Sequence, residues 1–94
     1  MYFQKIKQEE EARISELLPL ESQGRVYNLM GKIEFFDGNL EEAAQYFKRS
    51  IAESPKIESY YNLAVSYLMM DKFSLARQEV EKVINLGALN RGEE

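Results

Sequence analysis

Carboxylates are the candidates for acid-base chemistry near neutral pH in this chain, because its 94 residues include no histidine and no cysteine. This removes the commonest general base, thiol nucleophiles, disulfides and the usual zinc ligands. The remaining acidic clusters are residues 9–11, Glu41 with Glu42, and Glu79 with Glu81. Each lies where the solvated face of a helix is expected, and no glycine-rich phosphate loop or nucleophile with a base accompanies them. We therefore predict no catalytic residue, no metal site and no cofactor, and an enzyme is the least favoured alternative.

Charge and hydropathy exclude further classes of function. The chain has 12 basic and 16 acidic residues, a formal net charge of -4, whereas affinity for nucleic acid depends on clustered lysine and arginine. We therefore expect no nucleic-acid partner. No window approaches the roughly 20 apolar residues that span a bilayer. Residues 1–5 lack the apolar core of a secretion signal, which predicts a cytoplasmic protein.

Helices must position any binding residues, because the prolines and glycines separate segments with helical spacing of apolar residues. Nothing alternates with the two-residue period of a strand, so the predicted fold is all-α with about five helices. The predicted helices cover residues 3–18, 22–36, 39–54, 57–70 and 72–86. Turns are expected at residues 37–39 and at Asp71. Asn39 is expected to cap the third helix, with Glu42 reaching back, and Gly87 to end the fifth in a left-handed conformation before a frayed tail.

The chain contains an internal repeat of 33 residues, found by sliding the sequence along itself. The pairs that keep size class or apolar character are Tyr27 with Tyr60, Met30 with Leu63, Gly31 with Ala64, Leu40 with Phe73, Ala43 with Ala76, Phe47 with Val80, and Ile51 with Ile84. The small Gly31 and Ala43 are expected where two helices of one hairpin approach closely, with Phe47 filling the space around that contact. Ala64 and Ala76 repeat the arrangement in the second hairpin.

This pattern resembles the tetratricopeptide repeat family over roughly residues 23–89, whose signature is aromatic-x2-Leu-Gly-x2-Tyr, Ala-x3-Phe and Pro. The first copy reads Tyr27-x2-Met30-Gly31, Ala43-x3-Phe47 and Pro55, and the second reads Tyr60-x2-Leu63-Ala64-x2-Tyr67 and Ala76-x3-Val80. Glu34, Val80 and Ala88 depart from the family's aromatic, Phe and Pro. The resemblance implies antiparallel helix hairpins in a right-handed solenoid. The domains so predicted are a capping helix at 1–20, hairpins at 21–56 and 57–90, and a frayed tail at 91–94.

The resemblance also implies a concave groove, lined by the first helix of each hairpin, that receives extended or helical peptides. Residues with spacing i, i+3, i+7 and i+10 or i+11 lie along one side of each helix. The predicted groove residues are Arg25, Asn28, Lys32 and Phe36 in the first copy, and Glu58, Tyr61, Asn62, Val65 and Met69 in the second. Polar donors beside an apolar floor suit a peptide with an acidic or amide-rich stretch next to an apolar anchor. Phe36 and Tyr61 are expected to be exposed, and Phe35 and Leu68 to be buried between helices.

Asn62 belongs to this set because it matches an asparagine with which some family members clamp the carboxylate of a chaperone's carboxyl-terminal tail. In the first repeat, Asn28 stands where that clamp has lysine and Lys32 where it has asparagine. The basic pair of a third repeat is absent. Since the residue types occur in swapped order, tail clamping is not expected.

A protein-binding adaptor or chaperone-like scaffold is the function that the repeat and the groove favour. The alternative is a self-associating module, such as a homodimer, or a piece of a longer array. It rests on an apolar flank that longer arrays cover with a capping helix. The flank residues are Leu75, Val83, Leu86 and Leu89. The first helix is polar all round at residues 7–11, which predicts a solvated cap, with a partner-docking or dimerising arm as the alternative.

Overall fold

Five α-helices form the described part of the chain in this computed structural model, which describes the backbone of residues 2–92 and the side chains of residues 8–92. They are α1 (Tyr2–Leu17), α2 (Leu20–Phe36), α3 (Leu40–Glu53), α4 (Ile57–Met69) and α5 (Phe73–Asn90). Residues 2–92 contain no strand. The all-α prediction is confirmed, and each predicted helix is present.

The end of α5 differs from the prediction. Gly87 lies inside the helix, which continues to Asn90, and the residue with a left-handed backbone is Gly92, at φ 75°. A glycine inside a helix costs only about 1 kcal/mol relative to alanine. Leu86 and Ala88 on either side of it are half-buried, so their packing continues the helix. Of the predicted frayed tail, residues 93 and 94 lie outside the described residues.

The two hairpin turns are where the sequence predicts them, and Asn39 is the N-cap residue of α3, as predicted. Its side chain makes no capping hydrogen bond, so that part of the prediction is wrong, and its Nδ2 donates to Glu34 Oε1 at 3.0 Å. Gly38 supplies the left-handed residue of the first turn, at φ 87°, and Asp71 that of the second, at φ 60°. Gly38 and Asp71 are 33 positions apart, so the two hairpins turn in the same way.

The buried core joins α3 to both helices of the second hairpin. Its cluster consists of Ala43, Ala44, Phe47, Leu63, Tyr67 and Ala76. A Cβ atom added to Gly31 would lie 2.5 Å from Phe47 Cε1. The Phe47 ring therefore occupies the space that any side chain at position 31 would need, which confirms the predicted close approach within the first hairpin.

α1 lies against one side of α2. A hollow of about 360 Å³ separates the two helices. Its apolar lining comprises Ile14, Leu17, Leu18, Val26 and Met30. The Gln23 side chain ties α2 to the turn after α1, because its Nε2 donates to the Leu18 carbonyl at 2.7 Å. The remaining hollow shows that α1 fills this side of α2 only in part.

Candidate functional site

A chain of buried hydrogen bonds joins α2, α3 and α4 along the predicted groove. Asn28 Oδ1 accepts hydrogen bonds from the Ser59 hydroxyl at 3.2 Å and from Asn62 Nδ2 at 3.1 Å. The Ser50 hydroxyl donates to the Gly24 carbonyl at 2.6 Å and lies 2.8 Å from the Ser59 hydroxyl, whose single proton serves either this contact or the one to Asn28 Oδ1. Buried polar groups are tolerated when each has a partner. We call Asn28, Ser50, Ser59 and Asn62 the junction network, since it holds α4 on the first hairpin.

A polar hollow of about 210 Å³ lies beside the junction network. Its charged lining residues are Glu21, Arg25, Lys32, Lys56 and Glu58. Lys32 Nζ is 2.5 Å from Glu58 Oε1, and Lys56 Nζ is 3.6 Å from Glu21 Oε1. Arg25 has no ion-pair partner among the described residues, so it is the cation of this hollow that can meet an incoming anion.

The ion pair between Lys32 and Glu58 bridges the two hairpins. A hydrogen bond from Lys32 holds the pKa of the Glu58 carboxyl below its ordinary value of 4.5. Partial desolvation opposes this shift, whereas attraction to the Lys32 ammonium and hydrogen bonds from Asn28 and Asn62 add to it. Glu58 is therefore ionised at neutral pH.

An apolar hollow, also of about 210 Å³, adjoins the polar one. It is lined by Lys32, Phe35, Phe36, Phe47, Tyr61, Asn62 and Val65. Phe36 is 83% exposed and Tyr61 59%, which confirms the prediction for both. Phe35 is partly buried against the core, as expected. Leu68 is 51% exposed, so its predicted burial is wrong: no described helix covers that side of α4.

The nine predicted groove residues fall into three groups. Arg25, Asn28, Lys32 and Glu58 line the polar hollow, and Lys32, Phe36, Tyr61, Asn62 and Val65 line the apolar hollow. Met69 lines neither and is 59% exposed near the end of α4. Asn28 is only 8% exposed and bonds to Asn62, so these amides hold the hairpins together.

Sequence reasoning missed the serines of the polar hollow, Ser50, Ser54 and Ser59. The 33-residue register contained a signal, because Ser50 pairs with Val83 and Ser59 with Val26. A polar residue at a position where the other repeat is apolar indicates a buried hydrogen bond.

The largest groove described, about 730 Å³, lies between α4 and α5 on the side away from the first hairpin. We call it the end groove. Its lining residues are Tyr61, Ala64, Val65, Leu68, Phe73, Ala76, Arg77, Val80 and Val83. Of the predicted apolar flank, only Val83 lines it. Leu75 and Leu89, at 39% and 63% exposed, lie elsewhere on α5.

The described residues contain no group of three or more acidic side chains placed to hold a metal ion. The prediction that Glu79 lies on a solvated helix face is wrong, because the residue is only 6% exposed. Its Oε2 is paired with Lys82 Nζ at 3.3 Å. Among the described helices, none is long and apolar enough to cross a membrane.

Comparison with known proteins identifies the repeat. Residues 24–56 and 57–86 match the tetratricopeptide repeat family. A segment of 56 residues is 36% identical to human sperm-associated antigen 1 and, over the same length, 32% identical to the rat protein. The match covers 60% of this chain and only 6% of either relative. No solved structure matches the chain significantly.

Proposed function

Because this chain belongs to the tetratricopeptide repeat family, whose repeats are generally protein-interaction modules, we propose that it binds a protein segment in the concave groove along α2 and α4. The observation that carries the proposal is that the polar and apolar hollows meet at Lys32, which lines both. One extended or helical segment along these helices would contact both hollows.

The two hollows suit a segment with an acidic residue beside an apolar anchor. Arg25 is available to a carboxylate, whereas Lys32 is already paired with Glu58. Phe36 and Tyr61 offer exposed aromatic surface to the anchor. Buried aromatic contacts usually supply most of the binding energy, and charges at the rim mainly set orientation and rate. We therefore expect the anchor to dominate affinity and the carboxylate to set the direction of the segment.

A displayed peptide library tests this proposal. The intact chain should select peptides with a carboxylate a few residues from an aromatic or aliphatic side chain. The double variant Arg25→Glu with Phe36→Ala should lose them, since it reverses the available charge and removes the exposed ring. The control, Lys48→Glu with Leu89→Ala, makes the same kinds of change at exposed positions outside both hollows and should select the same peptides as the intact chain.

Circular dichroism of all three proteins must show equal helicity. If the groove variant then retains the selected peptides, the concave-groove proposal is wrong. Capture from a cell lysate with the intact chain and the groove variant would next identify a partner.

Self-association is a second candidate, favoured by the end groove, whose lining contains a single charged residue, Arg77.

The lack of a catalytic role, the lack of a nucleic-acid partner and the cytoplasmic location stay predictions from the sequence.

A further inference from the structure

The end groove is the counterpart, one repeat later, of the surface that α4 covers on the first hairpin. Moving its lining residues back by 33 positions gives Asn28, Gly31, Lys32, Phe35, Leu40, Ala43, Ala44, Phe47 and Ser50. Ala43, Ala44 and Phe47 belong to the buried cluster with Leu63 and Tyr67 of α4. The end groove is therefore arranged to receive a helix that packs as α4 does.

α2 carries the matching face. Besides Ala64, the buried residues of α4 are Ser59, Leu63, Ser66 and Tyr67, which correspond on α2 to Val26, Met30, Ile33 and Glu34. Ile33 is 62% exposed, and Leu29, the counterpart of Asn62, is 57% exposed. The chain thus presents both halves of one helix-packing surface, one half at each end of the fold.

The two ends match each other in polarity. At the internal junction, Asn28 and Ser50 meet Ser59 and Asn62 through hydrogen bonds. The counterparts of these four residues are Tyr61 and Val83 in the end groove, and Val26 and Leu29 on α2. Three of these four counterparts are aliphatic, and the fourth, Tyr61, is aromatic with a single hydroxyl. Pairing the two ends would therefore bury no polar side chain at Val26, Leu29 or Val83, and Tyr61 is the one position that brings a polar group.

Charged residues also lie on the two surfaces. In such a pairing, Glu34 of α2 takes the position that Tyr67 has on α4, and Arg77 takes the position of Ala44 on the opposite surface, where its cation attracts the Glu34 carboxylate. Glu81 takes the position of Lys48, and its negative charge repels the same carboxylate. The charges therefore contribute little net attraction, and the apolar residues must supply the affinity.

We propose that this chain associates head to tail, with α2 of one copy packed in the end groove of the next as α4 packs on the first hairpin. The two surfaces differ, so the contact is heterologous and extends into chains of copies instead of closing as a symmetric dimer. The proposal does not rest on peptide binding in the concave groove, although Tyr61 and Val65 line both grooves.

α1 opposes this association, because it covers Val26 and Met30 on the same face of α2. Ile14 and Leu18 of α1 correspond to Phe47 and Ile51 of α3. α1 therefore packs on α2 in the position that α5 of a second copy would take. A second copy must displace α1, so the association is weak and rises with concentration.

Two variants of the full chain test the proposal, one for each surface: Ile33→Glu on α2 and Val80→Glu in the end groove. Sedimentation velocity over a concentration series measures the result. The mass of the intact chain should rise past that of a dimer, whereas each variant alone should stay monomeric. A carboxylate in this apolar contact should weaken association by about tenfold or more.

Mixing the two variants gives the sharpest outcome. One variant keeps an intact end groove and the other an intact α2 face, so an equimolar mixture should form a 1:1 dimer and no larger species. The concave-groove variant, Arg25→Glu with Phe36→Ala, should associate like the intact chain, which separates failure of this proposal from failure of the proposed function. If either glutamate lowers helicity, Ile33→Lys or Phe73→Glu replaces it on the same surface.

Three results would overturn the proposal. The first is an intact chain that stays monomeric at all concentrations. The second is association that neither variant weakens, which would leave the end groove to a helix of another protein. The third is a mixture that stays monomeric although the intact chain associates, which would indicate a symmetric dimer.

Discussion

The two hairpins follow one 33-residue pattern, yet α4 packs over the first hairpin, whereas no helix of the described residues packs over the second in the same way. Phe47 is 1% exposed in the first hairpin, whereas its counterpart Val80 is 46% exposed in the second. The large Phe47 lies beside Gly31, and the smaller Val80 is matched with Ala64, so the pair keeps a similar total volume. The pattern therefore sets the packing inside each hairpin. Burial between hairpins depends on which helix comes next.

A bulky side chain at Gly31 is expected to give the largest effect. Gly31→Leu would place a Cβ 2.5 Å from Phe47 Cε1, in a filled core. We expect the free energy of unfolding to fall by about 3 kcal/mol or more, which is a large part of the stability of so small a domain. The matched Ala64→Leu should cost less, because Ala64 lines the open end groove. Urea unfolding followed by circular dichroism compares them, and equal losses would contradict the difference between the hairpins.

The junction network should give the next largest effect. Ser50→Ala removes the buried hydroxyl that donates to the Gly24 carbonyl and lies within hydrogen-bond distance of the Ser59 hydroxyl. The free energy of unfolding should fall by about 1 to 3 kcal/mol. Ser74→Ala, at an exposed position of α5, should change it by less than about 0.5 kcal/mol. Urea unfolding of both variants checks this, and a Ser50 variant as stable as the Ser74 control would show that the network adds no stability.

Tyr27 and Tyr60 are counterparts that differ in burial. Tyr27 is 0% exposed, its hydroxyl has no hydrogen-bond partner among the described residues, and burial raises its pKa above 10.0. Tyr27→Phe removes that unpaired hydroxyl and should raise the free energy of unfolding by at most about 1 kcal/mol. Tyr60→Phe, at a half-buried position, should change little. Thermal unfolding of both variants tests this, and a destabilised Tyr27→Phe variant would indicate a hydrogen bond to that hydroxyl.

Lowering the pH should weaken the ion pair between Lys32 and Glu58, which links the two hairpins. This is the smallest of the expected effects on stability. The pKa of Glu58 is lowered from 4.5 in the folded chain. The stability from its pair with Lys32 is therefore complete above 4.5 and is lost as the pH falls through the lower folded value. Because the pair is solvent-exposed, we expect less than about 1 kcal/mol.

Lys32→Gln removes the cation and should flatten this part of the pH dependence, measured by urea unfolding at several pH values between about 3 and 6. The counterpart of Lys32 in the second hairpin is Val65, which has no charge to titrate. An unchanged pH profile in the Lys32 variant would assign the acid sensitivity to other carboxylates.

The sequence by itself determined the helices and the contacts inside each hairpin, because both depend on residues close together in the chain. Apolar spacing marks the helix faces, and proline and glycine mark the turns. The approach of α2 to α3 was also predictable, since Gly31 and Phe47 are 16 positions apart and recur as Ala64 and Val80. The same register placed Phe36 and Tyr61 on the exposed surface.

Only the tertiary structure decided which polar and apolar residues meet between hairpins. It buries Asn28 and Ser50 in hydrogen bonds and leaves Leu68 exposed at the end groove. It also buries Glu79 beside Lys82 and continues α5 through Gly87. Each outcome depends on a neighbouring residue or helix that covers the position or leaves it open. Residue type and spacing identify the face of a helix, but they do not specify what lies against it.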